Sequence, residues 1–254
     1  LGDPSVGKTS AIREVAAAMG AVVHEVDCGE GQRDCELIGE PTIGEGQTIV
    51  FKDGLITSAI RKAIADKGVM HILVLDEVDH LAPEVQSLLH SVLEGGTLSV
   101  NGERLILPDT LRVVATANTS GHGDFTGRHA AARMSDTAFL SRWNITMTVD
   151  YMRHEDEAEV LNQYIDLKVA SKMVEVAALT RDPGPDASAS TSTPISLRQL
   201  LAWARAVQAG SEPRAAFTWT ILAGASETDQ PILANLAQRV FDWNPTLNKE
   251  ENND

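Results

Sequence analysis

Gly2-Asp3-Pro4-Ser5-Val6-Gly7-Lys8-Thr9 fits the pattern G-x-x-x-x-G-K-[ST] at every specified position. Its glycines let the backbone curl so that successive N–H groups converge on an anion. Lys8 carries a charge that can reach the β- and γ-phosphate oxygens of a nucleotide, and the Thr9 hydroxyl can ligate Mg²⁺. Gly2, Asp3, Pro4, Ser5, Val6, Gly7, Lys8, Thr9 and Ser10 are therefore the candidate nucleotide-binding residues. Ala11 to Met19 carries a helical pattern, and the positive end of that helix would add to anion binding. A glycine-rich turn before a helix is the plainer alternative, so the rest of the chain has to decide.

Two further stretches decide it. His71-Ile72-Leu73-Val74-Leu75-Asp76-Glu77 places four consecutive large aliphatics ahead of two acids. The run predicts a strand buried on both faces of a parallel sheet. Two carboxylates at the end of such a strand need a counter-charge, because burying unpaired charge is costly. Asp76 would hold a metal through water, and Glu77 would orient and deprotonate an attacking water. A third strand, Leu111-Arg112-Val113-Val114-Ala115-Thr116-Ala117-Asn118, ends in an amide able to position that water. Thr116 is a weaker candidate for the same task. Strand–helix alternation with all three motifs at carboxyl ends predicts an α/β fold, a doubly wound parallel sheet flanked by helices.

Composition fits this reading. At 254 residues and 43% hydrophobic, the chain can bury a large domain and a smaller one. No apolar run approaches the ~20 residues of a membrane span, and no signal peptide is visible, so a cytoplasmic location is expected. Leu1 reads as the end of a strand feeding the phosphate loop, which implies a first strand missing from the sequence in hand. Cys28 and Cys35 are too few for a zinc site or a disulfide framework. The histidines form no H-x-x-x-H set, and His122 and His129 flank a glycine-rich loop, where simple exposure is a plainer reading than a ligand role. Against 36 acids stand 21 bases, a net charge of −15. That balance argues against broad contact with a phosphate backbone and suits a basic protein partner.

Two insertions interrupt the alternation. Residues 37–54 are glycine-rich and hold a short β-like run, Thr48-Ile49-Val50-Phe51, before a helix resumes over Leu55 to Ala65. Thr97 to Leu107 predicts a hairpin, because Asn101-Gly102 suits a type I′ turn with positive φ at both central residues. After Asp150 the pattern becomes helical over 154–167, 168–180, 195–208, 213–224 and 232–243. Trp203, Trp219 and Trp243 are expected in that core. Residues 182–194 form a low-complexity loop, expected to be mobile, and 248–254 an acidic tail. Asn248-Lys249 lacks the Asp of a guanine-specificity motif, so GTP is discounted. The expected domains are 1–150, binding nucleotide, and 151–254, helical.

Taken together these residues resemble AAA+ ATPases of the MoxR-like branch, and within it the CobS type, the ATPase subunit of aerobic cobaltochelatases. The resemblance is carried by Phe51-Lys52-Asp53-Gly54-Leu55, Val74-Leu75-Asp76-Glu77-Val78-Asp79, Ala115-Thr116-Ala117-Asn118-Thr119 and Gly121-His122-Gly123-Asp124-Phe125-Thr126-Gly127. Leu140-Ser141-Arg142-Trp143 extends it, over roughly residues 1 to 165 in all. NorQ, CbbQ and GvpN proteins share most of these features. The resemblance implies Mg²⁺-dependent ATP hydrolysis and a ring, most simply a hexamer. Arg142 matches the arginine finger that reaches a neighbouring subunit's nucleotide, with no task expected in its own subunit. Arg198 matches the sensor 2 position near the γ-phosphate, and the helices after Asp150 match the small lid. It also implies a client protein complex, with a metal chelatase as leading case. A helicase-related nucleic-acid motor and a nucleotide-gated assembly factor are the alternatives.

Overall fold

The computed structural model describes residues 1–3, 5–29, 33–44, 47–119, 137–182, 191–192 and 194–243. Their contacts divide the chain into two compact units, one of residues 1–3 and 7–149, the other of 4–6 and 150–254. In the first, the order is α1 (Lys8–Ala18), β1 (Val22–Asp27), α2 (Asp34–Leu37), β2 (Gly39–Ile43), β3 (Ile49–Asp53), α3 (Leu55–Ala65) and β4 (His71–Asp76). It continues through α4 (Pro83–Gly95), β5 (Thr97–Val100), β6 (Glu103–Ile106), β7 (Leu111–Ala115) and α5 (Thr137–Leu140).

β1, β4 and β7 form a parallel sheet in the order β1-β4-β7, with Asp27 beside Asp76 and Leu75 beside Ala115. Alternation along β4 explains its unbroken aliphatic run. Ile72 and Val74 pack with Ile12 and Ala16 of α1 on one face. Leu73 and Leu75 enter the other core with Ile56 and Ile60 of α3 and Val85 and Leu89 of α4. Burial of each such side chain stabilises the fold by about 1.5–3 kcal/mol. Beyond this sheet, Leu1 donates its N–H to the Met147 carbonyl at 2.7 Å and accepts from Val149 N–H at 2.7 Å.

Both insertions are two-stranded antiparallel ribbons, β2–β3 and β5–β6. Asn101 (φ 48°) and Gly102 (φ 75°) adopt the left-handed geometry that their pairing predicts for the second turn. The first ribbon returns to α3 through Gly54, where a Cβ would stand 2.5 Å from the Leu37 carbonyl carbon. Arg61 of α3 holds both ribbons, at 2.8 Å from Asp53 and 2.7 Å from Glu103. The paired Ile43 and Ile49 at the end of β2–β3 are exposed, as is Ile106 on β6.

The second unit is helical: α6 (His154–Asn162), α7 (Leu167–Arg181), α8 (Leu197–Gln208), α9 (Pro213–Thr220) and α10 (Asp229–Phe241). Local chemistry moves several expected boundaries. Asp166 caps α7 by accepting from Lys168 N–H, so α7 starts at Leu167, while the helix expected over 154–167 ends at Asn162. Ser196 and Gln199 form a capping box that starts α8 at Leu197. Pro231 sits in the first turn of α10, where it forfeits no helical hydrogen bond. Trp203 is buried against Phe217 and Phe241, and Trp243 stacks on Phe241 at 4.7 Å. Trp219 is a correction to the expected core, since it is 65% exposed. It lies two residues beyond buried Phe217, about 200° around the helix and thus on the opposite face.

The Gly121–Gly127 loop with His122 and His129, Pro4, most of the 182–194 stretch and the acidic tail lie outside the described residues. Among the described residues no helix is long and apolar enough to cross a membrane.

One ion pair in the helical unit is buried on both sides. Arg181 meets Glu157 through two nitrogens at 2.8 and 2.9 Å, donates to the Ile195 carbonyl, and lies over the Tyr151 ring. Removing one member strands the other charge. Arg181→Met should cost about 3–5 kcal/mol in urea unfolding of this unit, and Arg181→Met with Glu157→Leu should recover most of it. A single variant as stable as the parent would contradict this.

Candidate nucleotide site

The site starts from α1. Gly7 takes φ 95° as the residue before the helix, and Ser5 takes φ 61°, so the loop turns sharply enough to bring Lys8 back over it. Lys8 Nζ donates to the carbonyls of Gly2 at 2.6 Å and Asp3 at 2.9 Å and to Asn118 Oδ1 at 2.7 Å. All three ammonium hydrogens are thereby used. Burial pushes the Lys8 pKa below the ordinary lysine value, while the carboxylates of Asp79, Asp76, Asp3 and Glu77 work in the opposite direction. Such a half-buried cation on a curled loop is suited to an anion carrying several oxygens.

The next residue addresses the acids. Thr9 Oγ1 donates to the Asp76 carboxylate, at 3.0 and 3.2 Å from its two oxygens. Thr116 donates its hydroxyl to Asp76 Oδ1 and accepts the backbone N–H of Glu77 at 3.1 Å. Thr116 is therefore a strut between the acids and β7 rather than a group aimed at a ligand. Glu77 itself stands at φ 55°, ψ 45°, a left-handed conformation costing an L-residue about 1–2 kcal/mol. Its carboxylate lies 3.6 Å from His80 Nδ1 and is 45% exposed, so it projects from the sheet end instead of folding into it.

The donors assembled here are a hydroxyl and a carboxylate, both hard oxygens. They fit Mg²⁺, which takes one or two protein oxygens and completes its shell with water and substrate phosphates. Among the described residues no group of three His, Cys, Asp or Glu could hold a metal alone.

The structure brings Gly2, Asp3, Lys8, Thr9, Asp76 and Asn118 into one connected network, with Glu77 bonded to it through Thr116. Val6 is buried, whereas Ser10 is exposed on α1. Arg142 departs from expectation, because it has partners in its own chain. It bonds Glu94 of α4 at 3.0 Å and donates to the Ala138 carbonyl. Arg198 is exposed as the second residue of α8, in the helical unit. Sequence reading missed the strut formed by Thr116.

The profile of the AAA domain, dynein-related subfamily, matches residues 1–134, over half of the chain. The chain belongs to this AAA family. A second profile, the CbbQ/NirQ/NorQ C-terminal domain, matches residues 157–241. Aerobic cobaltochelatase subunit CobS from Sinorhizobium sp is 30% identical over 247 residues, spanning 92% of this chain and 72% of CobS. Midasin from Giardia intestinalis is 25% identical over 185 residues, 68% of this chain but 3% of midasin. Among solved structures, NtrX from Brucella abortus aligns with TM-score 0.54 at 18% identity, over 94% of this chain and 55% of NtrX. That likeness shows the fold. These matches make the chain a MoxR-like AAA+ protein similar to CobS, of a family that binds nucleotide.

Cys28 lies behind this AAA site, its N–H bonded to the Asp76 carbonyl at 2.8 Å. Burial, with Asp27, Asp76 and Glu77 adding to it, pushes its thiol pKa up to about 12. The neutral thiol is inert at ordinary pH. Ellman's reagent at pH 8 should titrate Cys35 in the native protein and reach Cys28 only after unfolding in guanidinium. Two equally fast thiols in the native state would contradict the packing described.

Proposed function

We propose that this chain is the hydrolytic subunit of a Mg²⁺-dependent AAA+ ATPase ring, most simply a hexamer, that activates a partner protein complex. The CobS type, a metal chelatase motor, is the leading case. The observation that supports it most is the convergence of Lys8, Thr9, Asp76 and Asn118 at the carboxyl ends of parallel strands.

Mg²⁺-ATP would bring the reactive γ-phosphorus together with a cation that offsets phosphate charge. Gly2 to Ser10 would supply the cradle, and Lys8 would exchange its carbonyl and amide acceptors for phosphate oxygens. Thr9 and Asp76 would hold the metal, directly and through water. Glu77, held clear of the sheet by its left-handed backbone, would take the proton of the attacking water. Asn118 would orient that water. Arg142 would have to leave Glu94 to reach a neighbour's nucleotide, and Arg198 would read the γ-phosphate from the helical unit. Both ribbons present exposed apolar residues and carry none of these groups, which suits them to meet the client.

Two substitutions separate binding from hydrolysis. Lys8→Ala should abolish nucleotide binding, read with a fluorescent ATP analogue. Glu77→Gln keeps the shape and should bind ATP normally while hydrolysing it about 10²- to 10⁴-fold more slowly. Equal hydrolysis by Glu77→Gln and the parent would sink the assignment.

The ring is tested by mixing. Arg142→Ala subunits and Lys8→Ala subunits should each be inactive alone but regain ATPase activity on mixing, because an intact Lys8 then faces a neighbour's intact Arg142. No regain on mixing, or a monomer that is fully active, would refute action in trans.

A further inference from the structure

Asp79 has no part in the roles assigned above, yet it is 2% exposed and sits in the 3-10 turn Val78–His80 that follows β4. Burying a carboxylate is costly unless it is bonded. One oxygen, Oδ2, does all the bonding: it accepts the backbone N–H of Asn118 at 3.1 Å, the N–H of Thr119 at 3.0 Å and the Thr119 hydroxyl at 3.0 Å. The other, Oδ1, is buried with no hydrogen-bond partner among the described residues. Two consecutive amides aimed at one oxygen fix the intervening peptide, and with it the direction in which Asn118 leaves the chain. Its Oδ1 then stands 2.7 Å from Lys8 Nζ. Glu77 immediately precedes the turn bearing Asp79, and Val78 N–H donates to the Thr116 carbonyl at 2.9 Å.

We propose that Asp79 is a positioning residue for hydrolysis: it sets Asn118 against Lys8 and so fixes the polar end of β7 relative to Glu77. The proposal rests on the ATPase reading, in which Asn118 orients the attacking water. A charge is needed because one oxygen must serve three donors, and a carboxylate oxygen accepts more strongly than an amide. An aspartate that merely filled its place in the core would affect stability and leave turnover alone.

The test is a double-mutant cycle on the full chain, reading kcat, ATP affinity by fluorescent-nucleotide titration, and thermal midpoint. Asp79→Ala should lower kcat on the order of 10- to 100-fold, the scale of a misplaced catalytic group, with ATP affinity changed less than about threefold. Asp79→Asn, which keeps one acceptor at the same place, should recover part of that loss; it also carries the test if the alanine variant does not fold. In an Asn118→Ala background neither change should lower kcat further, because groups acting as one unit are not additive. Multiplying effects, or a parental kcat in folded Asp79→Ala, would overturn the positioning role while leaving the ATPase reading intact. A parental kcat in Asn118→Ala would instead overturn the role given to Asn118, and the inference with it. Amide exchange at residues 118–119 should accelerate in Asp79→Ala; unchanged exchange would also count against it.

Discussion

β4 is held on every side. Its edges are bonded to β1 and β7, and its faces are packed by Ile72 and Val74 toward α1 and by Leu73 and Leu75 toward α3 and α4. A strand so confined leaves Asp76 only partly open to solvent, and its charge is met where the strand ends. Thr9 and Thr116 meet it with hydroxyls from the first turn of α1 and the end of β7. The phosphate loop, the acids and the polar end of β7 are thus fixed to one another by the packing of a single apolar strand.

From that frame the site acquires its chemistry by a succession of short bonds. Lys8 draws in the loop carbonyls and Asn118, Thr116 ties Asp76 to the backbone of Glu77, and Asp79 gathers the turn at 118–119. Asp76, Glu77 and Asn118, which would act on substrate, are each bonded by a residue that would not, Thr116 or Asp79. Preorganisation of this kind lets polar groups stabilise developing charge without moving at the moment of reaction. The ribbons stand outside this network. Arg61 of α3 links them to each other through Asp53 and Glu103.

Much of this was legible in the linear chain. The aliphatic run of β4, the loop glycines and the Asn101-Gly102 turn announce themselves, because each is a local preference: burial on two faces, or a positive φ that few residues accept. The family resemblance found on those motifs agrees with the matches to the AAA domain and to CobS. Helix ends were less legible, since Asp166 and Ser196 act as caps only once the chain turns there.

What the sequence by itself determined is therefore the set of elements and the residue types at their ends. Tertiary structure alone decided the partners. The pairing of Arg142 with Glu94 spans 48 residues, that of Lys8 with Asn118 spans 110, and the bond from the Asn118 amide to Asp79 spans 39. Trp219 was misread for a related reason: which face of α9 meets the core is set by Ala216 and Phe217 against the neighbouring helices, not by its own hydrophobicity. Local propensity is written in a few adjacent residues. A hydrogen bond between distant ones exists only after the core has closed, because only packing brings their atoms within 3 Å or so and excludes the water that would otherwise compete.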